Sequence, residues 1–146
     1  MKVEIRVDPA LSEPEAILCA PCVTPQLEAL AQLLTEGGEE RLTVWNERGA
    51  AFLPLSEIVR LYAERQSVLV QTLDASYTVR QRLYELEERL APHRFVRISN
   101  SEIVNARMIT GMDFSRAGTI RMSLRGGIET YASRRYVSKI RKQFDV

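Results

Sequence analysis

Hydrophobic and polar positions alternate from the first residues of the chain, where Val3, Ile5 and Val7 are interleaved with Lys2, Glu4, Arg6 and Asp8. A period of two is that of a half-buried strand, and Pro9, which has no N–H to continue a ladder, stops it. The short apolar run from Glu15 to Ala20 reads as a second strand. Thr24 then offers a helix N-cap with Pro25 at the first helical position, and Leu27, Leu30, Ala31 and Leu34 follow at helical spacing. Gly37-Gly38 ends this helix, and Gly37-Gly38-Glu39-Glu40 reads as a linker. The expected organisation is therefore a small αβ extension over residues 1–40 and a domain over residues 41–146.

Beyond the linker the pattern is that of strands: Arg41 to Asn46, Ala50 to Leu53 across a turn at Glu47-Arg48-Gly49, Ile58 to Ala63, and Val68 to Leu73. Trp45, alone on a short strand, is expected in the core. Ser76 to Leu90 reads as a helix, because Val79, Leu83, Leu86 and Leu90 make one apolar stripe, with Glu85 and Arg89 as an i,i+4 pair outside it. Further strands follow at Phe95 to Ile98, Ile103-Val104 and Met108 to Asp113. A hairpin then runs from Thr119 to Leu124, turns at Arg125-Gly126-Gly127, and returns from Ile128 to Ala132. Ser133 can cap a last helix in which Tyr136, Ile140 and Phe144 repeat every four residues beside Val137, while Ser138, Lys139, Arg141 and Lys142 form a polar, basic face. The fold class this implies is α+β, with strands dominating the larger part.

A chain of 146 residues with 45% apolar positions can bury a core without disulfides or metal. It contains no apolar run long enough to span a membrane and no secretory leader, which makes the cytoplasm the expected compartment. The net charge of +1 conceals an asymmetry: residues 1–91 carry 9 Lys and Arg against 15 Asp and Glu, residues 92–146 carry 11 against 4. A basic final third suits a polyanion, or else it is a solvated basic face. Seventeen of the 20 cations are Arg, whose planar fork matches phosphate and guanine bidentately.

Candidate enzymatic groups are few. Cys19-Ala20-Pro21-Cys22 has the C-x-x-C spacing of thiol oxidoreductases, but with Thr24 as the cap both thiols precede the helix whose N-terminus would have to stabilise a thiolate. His93, the single histidine, lies beside Pro92 and reads as a surface loop residue; two Cys and one distant His do not make a zinc site. There is no glycine-rich phosphate loop, dinucleotide fingerprint or G-x-S-x-G elbow. The expectation is a non-enzyme with no cofactor and no small-molecule substrate. The alternatives are a C-x-x-C thiol oxidoreductase and a protein-interaction module with a basic face.

Two other clusters point to nucleic acid. Ser99, Asn100 and Ser101 form an exposed connection between apolar strands, and Asn can read adenine with two hydrogen bonds, although it can equally serve as a turn residue. Ser133-Arg134-Arg135-Tyr136 brings Arg side chains to a helix N-terminus, where phosphate binds and where Arg can reach guanine. Together the two segments resemble the LytTR DNA-binding domain. The pattern F-x-R-x-x-x-S-x-x-V-N is carried by Phe95, Arg97, Ser101, Val104 and Asn105, and S-R-x-Y by Ser133, Arg134 and Tyr136. Upstream, Leu83, Leu86 and Leu90 match an L-x-x-L-x-x-x-L element, so that the likeness covers about residues 42–146.

The resemblance implies an elongated, mostly β domain that inserts loops into successive major grooves of double-stranded DNA. Carried over by position, base contacts fall to the loop of Arg65, Gln66 and Ser67, to Asn100 with Ser99, and to Arg135. Arg134, Lys139, Arg97 and Ser101 are the expected phosphate contacts. Residues 1–40 are too few for a receiver domain, so the chain is similar to the short, response-regulator-like members of the family. For those the resemblance implies a homodimer on a direct repeat or paired site and a small membrane protein as regulator; charge and size make the acidic residues 1–40 the candidate either for that regulatory contact or for the homodimer interface.

Overall fold

Adjacent apolar pairs at Ile58-Val59, Phe95-Val96 and Ile103-Val104 constrain the architecture, because neighbours on a strand point to opposite faces and both faces then need cover. The computed structural model, which describes residues 1–35 and 40–146, satisfies that requirement. The chain divides into two units, Met1–Glu39 and Glu40–Val146. In the larger unit, β1 (Arg41–Asn46), β2 (Gly49–Pro54), β3 (Ile58–Glu64), β4 (Ser67–Thr72), β5 (Ser76–Val79), β6 (Phe95–Ser99) and β7 (Glu102–Asn105) form one sheet. Their order is β2-β1-β5-β4-β3-β7-β6, antiparallel throughout. A second antiparallel sheet has the order β10 (Ile128–Ala132), β9 (Ile120–Leu124), β8 (Ile109–Asp113).

Two cores flank the larger sheet. On one face Leu42, Val44, Ile58, Leu61, Val70, Phe95 and Ile103 pack beneath Leu83, Leu86 and Leu90 of helix α2 (Leu83–Leu90), numbered after α1 of the smaller unit. On the other, Val59, Val96, Ile98 and Val104 meet Ile120, Met122 and Leu124 of β9 and Ile140 of helix α3 (Arg134–Phe144). Each of the three adjacent pairs thus splits between the cores, and full burial of such a side chain contributes about 1.5–3 kcal/mol. The fold is α+β and strand-dominated. Among the described residues every buried side-chain polar atom has a hydrogen-bond partner.

Several expectations are corrected. The single helix expected over Ser76 to Leu90 is a strand followed by a shorter helix: Val79 pairs with Val68 in the ladder, yet its side chain enters the same core as Leu83, Leu86 and Leu90. Burial of Val79 was legible, its period was not, because Tyr77-Thr78-Val79 suits a strand better than a helix. Trp45 lies on the pleat opposite Leu42 and Val44, half-buried, with the Arg80 guanidinium 3.6 Å above its ring. Arg89 donates to Glu40 and to the carbonyl of Arg41, a longer-range anchor in place of the i,i+4 pair with Glu85. His93 likewise approaches Glu40, at 2.5 Å.

In the smaller unit helix α1 (Pro25–Thr35) forms where expected, with the Thr24 hydroxyl accepting from the N–H of Leu27 at 3.1 Å. The two expected strands do not form: no ladder involves residues 2–8 or 15–20. An alternating segment becomes a strand only with a partner edge, and among the described residues none is paired with it. Gly37 to Glu39 of the expected linker lie outside the described residues, and Glu40 begins the larger unit.

Candidate nucleic-acid interface

Ladder register brings two hairpin turns to one end of the larger sheet. β3 runs into the turn Arg65-Gln66 and β7 starts from the turn Asn100-Ser101; Tyr62 pairs with Glu102, and the N–H of Ala63 donates to the carbonyl of Ser101 at 2.8 Å. With strands about 4.8 Å apart, the β3–β4 and β6–β7 turns are separated by about 10 Å, two strand spacings. The start of α3 joins them from the other side. The N–H of Ser133 donates to the carbonyl of Ile98 at 2.9 Å, and the Tyr136 hydroxyl donates to Oδ1 of Asn100 at 3.2 Å. Three separate segments of sequence are thereby linked in a row: the β3–β4 turn, the β6–β7 turn and the α3 N-terminus.

The β6–β7 turn is braced. Arg97 donates from Nε to the carbonyl of Ser99 and from Nη2 to the carbonyl of Asn100, both at 2.7 Å, with Glu87 of α2 at 3.5 Å from Nη1. The Ser99 hydroxyl accepts from the N–H of Ser101 at 3.2 Å and lies 3.3 Å from the Ser101 hydroxyl. Asn100 is exposed, and its Nδ2 donors have no partner among the described residues. Since neither Asn100 nor Ser101 has positive φ, the turn makes no demand for Asn as a backbone device.

At the β3–β4 turn the opposite holds. Arg65 and Gln66 have φ of 48° and 68°, the left-handed pair that a two-residue hairpin prefers and that Asn-Gly normally supplies. Two long polar side chains occupy positions where glycine would be less strained, and Arg65, Gln66 and Ser67 are all exposed. No side-chain hydrogen bond ties any of the three to another described residue.

Ser133 occupies the N-cap of α3 with extended backbone, but its hydroxyl makes no capping bond, contrary to the expected cap. The N–H of Tyr136 donates to the carbonyl of Ser133 at 2.9 Å, while those of Arg134 and Arg135 have no acceptor among the described residues and remain open to an anion, with both Arg side chains exposed beside them. Lys139 follows Arg135 by four residues and Lys142 by seven, extending a basic stripe along the face opposite Ile140. Arg134 is hemmed in by the loop after β8: a Cβ built on Gly118, whose φ is +79°, would meet Nε of Arg134 at 3.0 Å. That loop is pinned at its start by Asp113, whose carboxyl is held below the usual carboxylate range by hydrogen bonds from the Ser115 side chain and backbone, with Arg121 and Arg116 adding to the effect.

Of the expected site residues, Asn100, Ser99 and Ser101 share the braced turn, Arg134, Arg135 and Lys139 share α3, and Arg65, Gln66 and Ser67 share the strained turn. Arg97 differs, because its guanidinium is spent on the turn's own carbonyls. Asn105 of the sequence pattern is buried and structural: Nδ2 donates to the carbonyl of Ile58 and Oδ1 accepts from the N–H of Arg107. Sequence reasoning placed Tyr136 in the apolar repeat and in the S-R-x-Y pattern without giving it a contact in the site, and it missed Glu102, a buried carboxylate that accepts from Thr130 of β10 at 2.8 Å and pairs with Arg60 of β3 at 3.4 Å. The Tyr within Ser-Arg-Arg-Tyr was a usable signal, since a half-buried phenol generally finds a polar partner for its hydroxyl. Cys19 and Cys22 are exposed and unbonded, ahead of α1, and no group of metal-ligating side chains occurs among the described residues.

Residues 49–145 match the LytTr DNA-binding domain family. The chain belongs to the LytTR family. A solved LytTr DNA-binding domain from Bacillus cereus superposes with a TM-score of 0.71 at 26% identity, covering 75% of this chain and all of that one. Two relatives from Staphylococcus aureus strains bovine RF122 / ET3-1 and MSSA476, each named an uncharacterised HTH-type transcriptional regulator, are 26% identical over 147 residues. These matches cover 100% of this chain and 99% of each relative. In this LytTR chain α2 and α3 are separated by five strands, so the larger unit has no helix-turn-helix among its described residues.

Proposed function

We propose that this protein is a transcriptional regulator that binds double-stranded DNA sequence-specifically, presenting the two turns and the α3 N-terminus to successive major grooves. The observation that carries the reading is the chain of contacts from α3 through Tyr136 to Asn100, which makes one surface of the two segments that bear the family pattern. In this reading Arg135 reads guanine, Asn100 with Ser99 reads a base edge, and Arg65, Gln66 and Ser67 make the third set of base contacts. Arg134, Lys139 and Ser101 hold phosphates, and Arg97 acts indirectly by fixing the turn that carries Asn100. The protein works as a homodimer in the cytoplasm, and the acidic smaller unit, with two cations against seven carboxylates over residues 1–39, stays off the DNA and receives any regulatory partner, a small membrane protein included.

The test is fluorescence anisotropy on the DNA upstream of the protein's own gene and on a scrambled duplex, at two salt concentrations, with Asn100→Ala and Arg135→Ala alongside. The expected result is tight binding to the native duplex only, with Arg135→Ala removing about 1–3 kcal/mol of that preference. Equal, salt-labile binding to a panel of unrelated duplexes would leave only a basic face.

A further inference from the structure

The alternating segment that finds no strand partner within the chain has a second regularity. Outward from Ile5, Glu4 is balanced by Arg6, Val3 by Val7 and Lys2 by Asp8. Turned antiparallel about a two-fold axis at Ile5, a second copy therefore offers every position its complement: Lys2 against Asp8, Val3 against Val7, Glu4 against Arg6 and Ile5 against itself. Slipping the register by two residues either way sets Arg6 against Arg6 and Glu4 against Asp8, or Glu4 against Glu4 and Lys2 against Arg6. Parallel pairing in register sets each charge against itself. Opposite charges facing across a ladder stabilise it and like charges destabilise it, so one register and one direction are selected.

Composition and exposure agree with this. Lys2 and Arg6 are the only cations among residues 1–39, and both fall in these seven positions, where a second copy would place its carboxylates. Val3, Ile5 and Val7 are 80%, 89% and 88% exposed, an apolar face without cover. A two-stranded ribbon is marginal by itself and needs a layer against its apolar face. In the same unit α1 has no buried residue, and Leu33 and Leu34 are at least half exposed, so the unit carries both the ribbon face and a helix with exposed leucines.

We propose that Lys2 to Asp8 of two copies pair as an antiparallel ribbon centred on Ile5, making the smaller unit the two-fold dimerisation element of the protein. This specifies the homodimer of the regulator reading and rests on it only for its purpose: two identical DNA-binding units held for paired sites.

The ribbon is tested without DNA, on the full chain carrying Cys19→Ser and Cys22→Ser. Residues directly opposite in an antiparallel pair have Cα atoms about 4.5–5.5 Å apart, within disulfide reach, so Ile5→Cys should yield a covalent dimer on mild oxidation. Val3→Cys should not, since the two copies of residue 3 would lie about 13 Å apart, four residues along the ladder. The double variant Val3→Cys with Val7→Cys should cross-link again. In sedimentation, Glu4→Arg and Arg6→Glu should each weaken self-association by about tenfold or more, and an equimolar mixture of the two should regain it, because each supplies the charge the other lacks. Exposure of all these side chains keeps the fold out of the result. A wild-type chain that stays monomeric at high micromolar concentration, cross-linking of Val3→Cys as fast as Ile5→Cys, or no recovery on mixing would each overturn the ribbon. The anisotropy comparison fails or succeeds independently, so loss of the ribbon with retained DNA preference is distinguishable from loss of the regulator reading.

Discussion

The two turns at one end of the larger sheet are both two-residue connections, yet they are stabilised in opposite ways. Asn100-Ser101 has ordinary backbone angles and is gripped by Arg97, Ser99 and Tyr136. Arg65-Gln66 has two left-handed residues and no side-chain brace among the described residues. The residue types are the reverse of what backbone economy alone would choose, since the left-handed pair calls for Asn or Gly and the other turn does not. In both places backbone economy does not account for the side chain; the proposed DNA contact would, made from a rigid turn at Asn100 and from an unbraced tip at Arg65-Gln66.

Removing the brace gives the largest expected effect. Arg97→Ala deletes two charge-assisted hydrogen bonds to carbonyls from a side chain only 12% exposed, which should cost about 2–4 kcal/mol in urea unfolding. Arg65→Ala should change stability by less than about 0.5 kcal/mol, since the exposed side chain has no partner to lose among the described residues. Comparable losses at the two positions would erase the contrast between the turns.

Next comes the DNA side of the same contrast. Arg135→Ala should cost about 1–3 kcal/mol of preference for the native duplex while leaving unfolding nearly unchanged, because the residue is exposed in the first turn of α3. Lys139→Ala should weaken all duplexes alike and flatten the salt dependence. A uniform loss from Arg135→Ala would move that residue from the base-reading group to the phosphate group.

At the strained turn, Gln66→Gly should raise stability by about 1 kcal/mol, since glycine takes φ of 68° without the steric penalty of a Cβ. The same variant should reduce affinity for the native duplex. Opposite signs for the two readouts would show strain kept for a contact; a gain in stability with unchanged affinity would remove the turn from the interface.

How much of this was legible follows from what each residue answers to. The apolar doublets at Ile58, Phe95 and Ile103 announce strands covered on both faces, because burial leaves a local pattern. The turn at Gly126-Gly127, with φ of 81° and 72°, is equally local. Val79 misled because a residue four before Leu83 joins the same core from a strand as from a helix. Lys2 to Asp8 misled for a different reason: alternation states that a strand is possible, and the edge that would complete it is absent from the chain's own ladders. The candidate site residues were named by pattern, Arg97 among them as a phosphate contact, but the bonds that Arg97 and Tyr136 make were not legible, since those depend on which carbonyl or amide lies opposite across 2 to 36 residues of sequence.

The smallest effect is the most discriminating. Tyr136→Phe removes one hydrogen bond, from the hydroxyl to Oδ1 of Asn100, and keeps the ring that packs against the second core. Its stability effect should be about 0.5–1.5 kcal/mol at most, and lower because the bond is exposed. If α3 and the β6–β7 turn act as one reading surface, Asn100 should lose alignment, and preference for the native duplex should fall by a factor of a few. The double variant Tyr136→Phe with Asn100→Ala should then bind no worse than Asn100→Ala alone, because the hydroxyl has nothing left to orient. Additive losses would instead mean that Tyr136 contacts DNA itself, and that the braced turn is held by Arg97 without help from the helix.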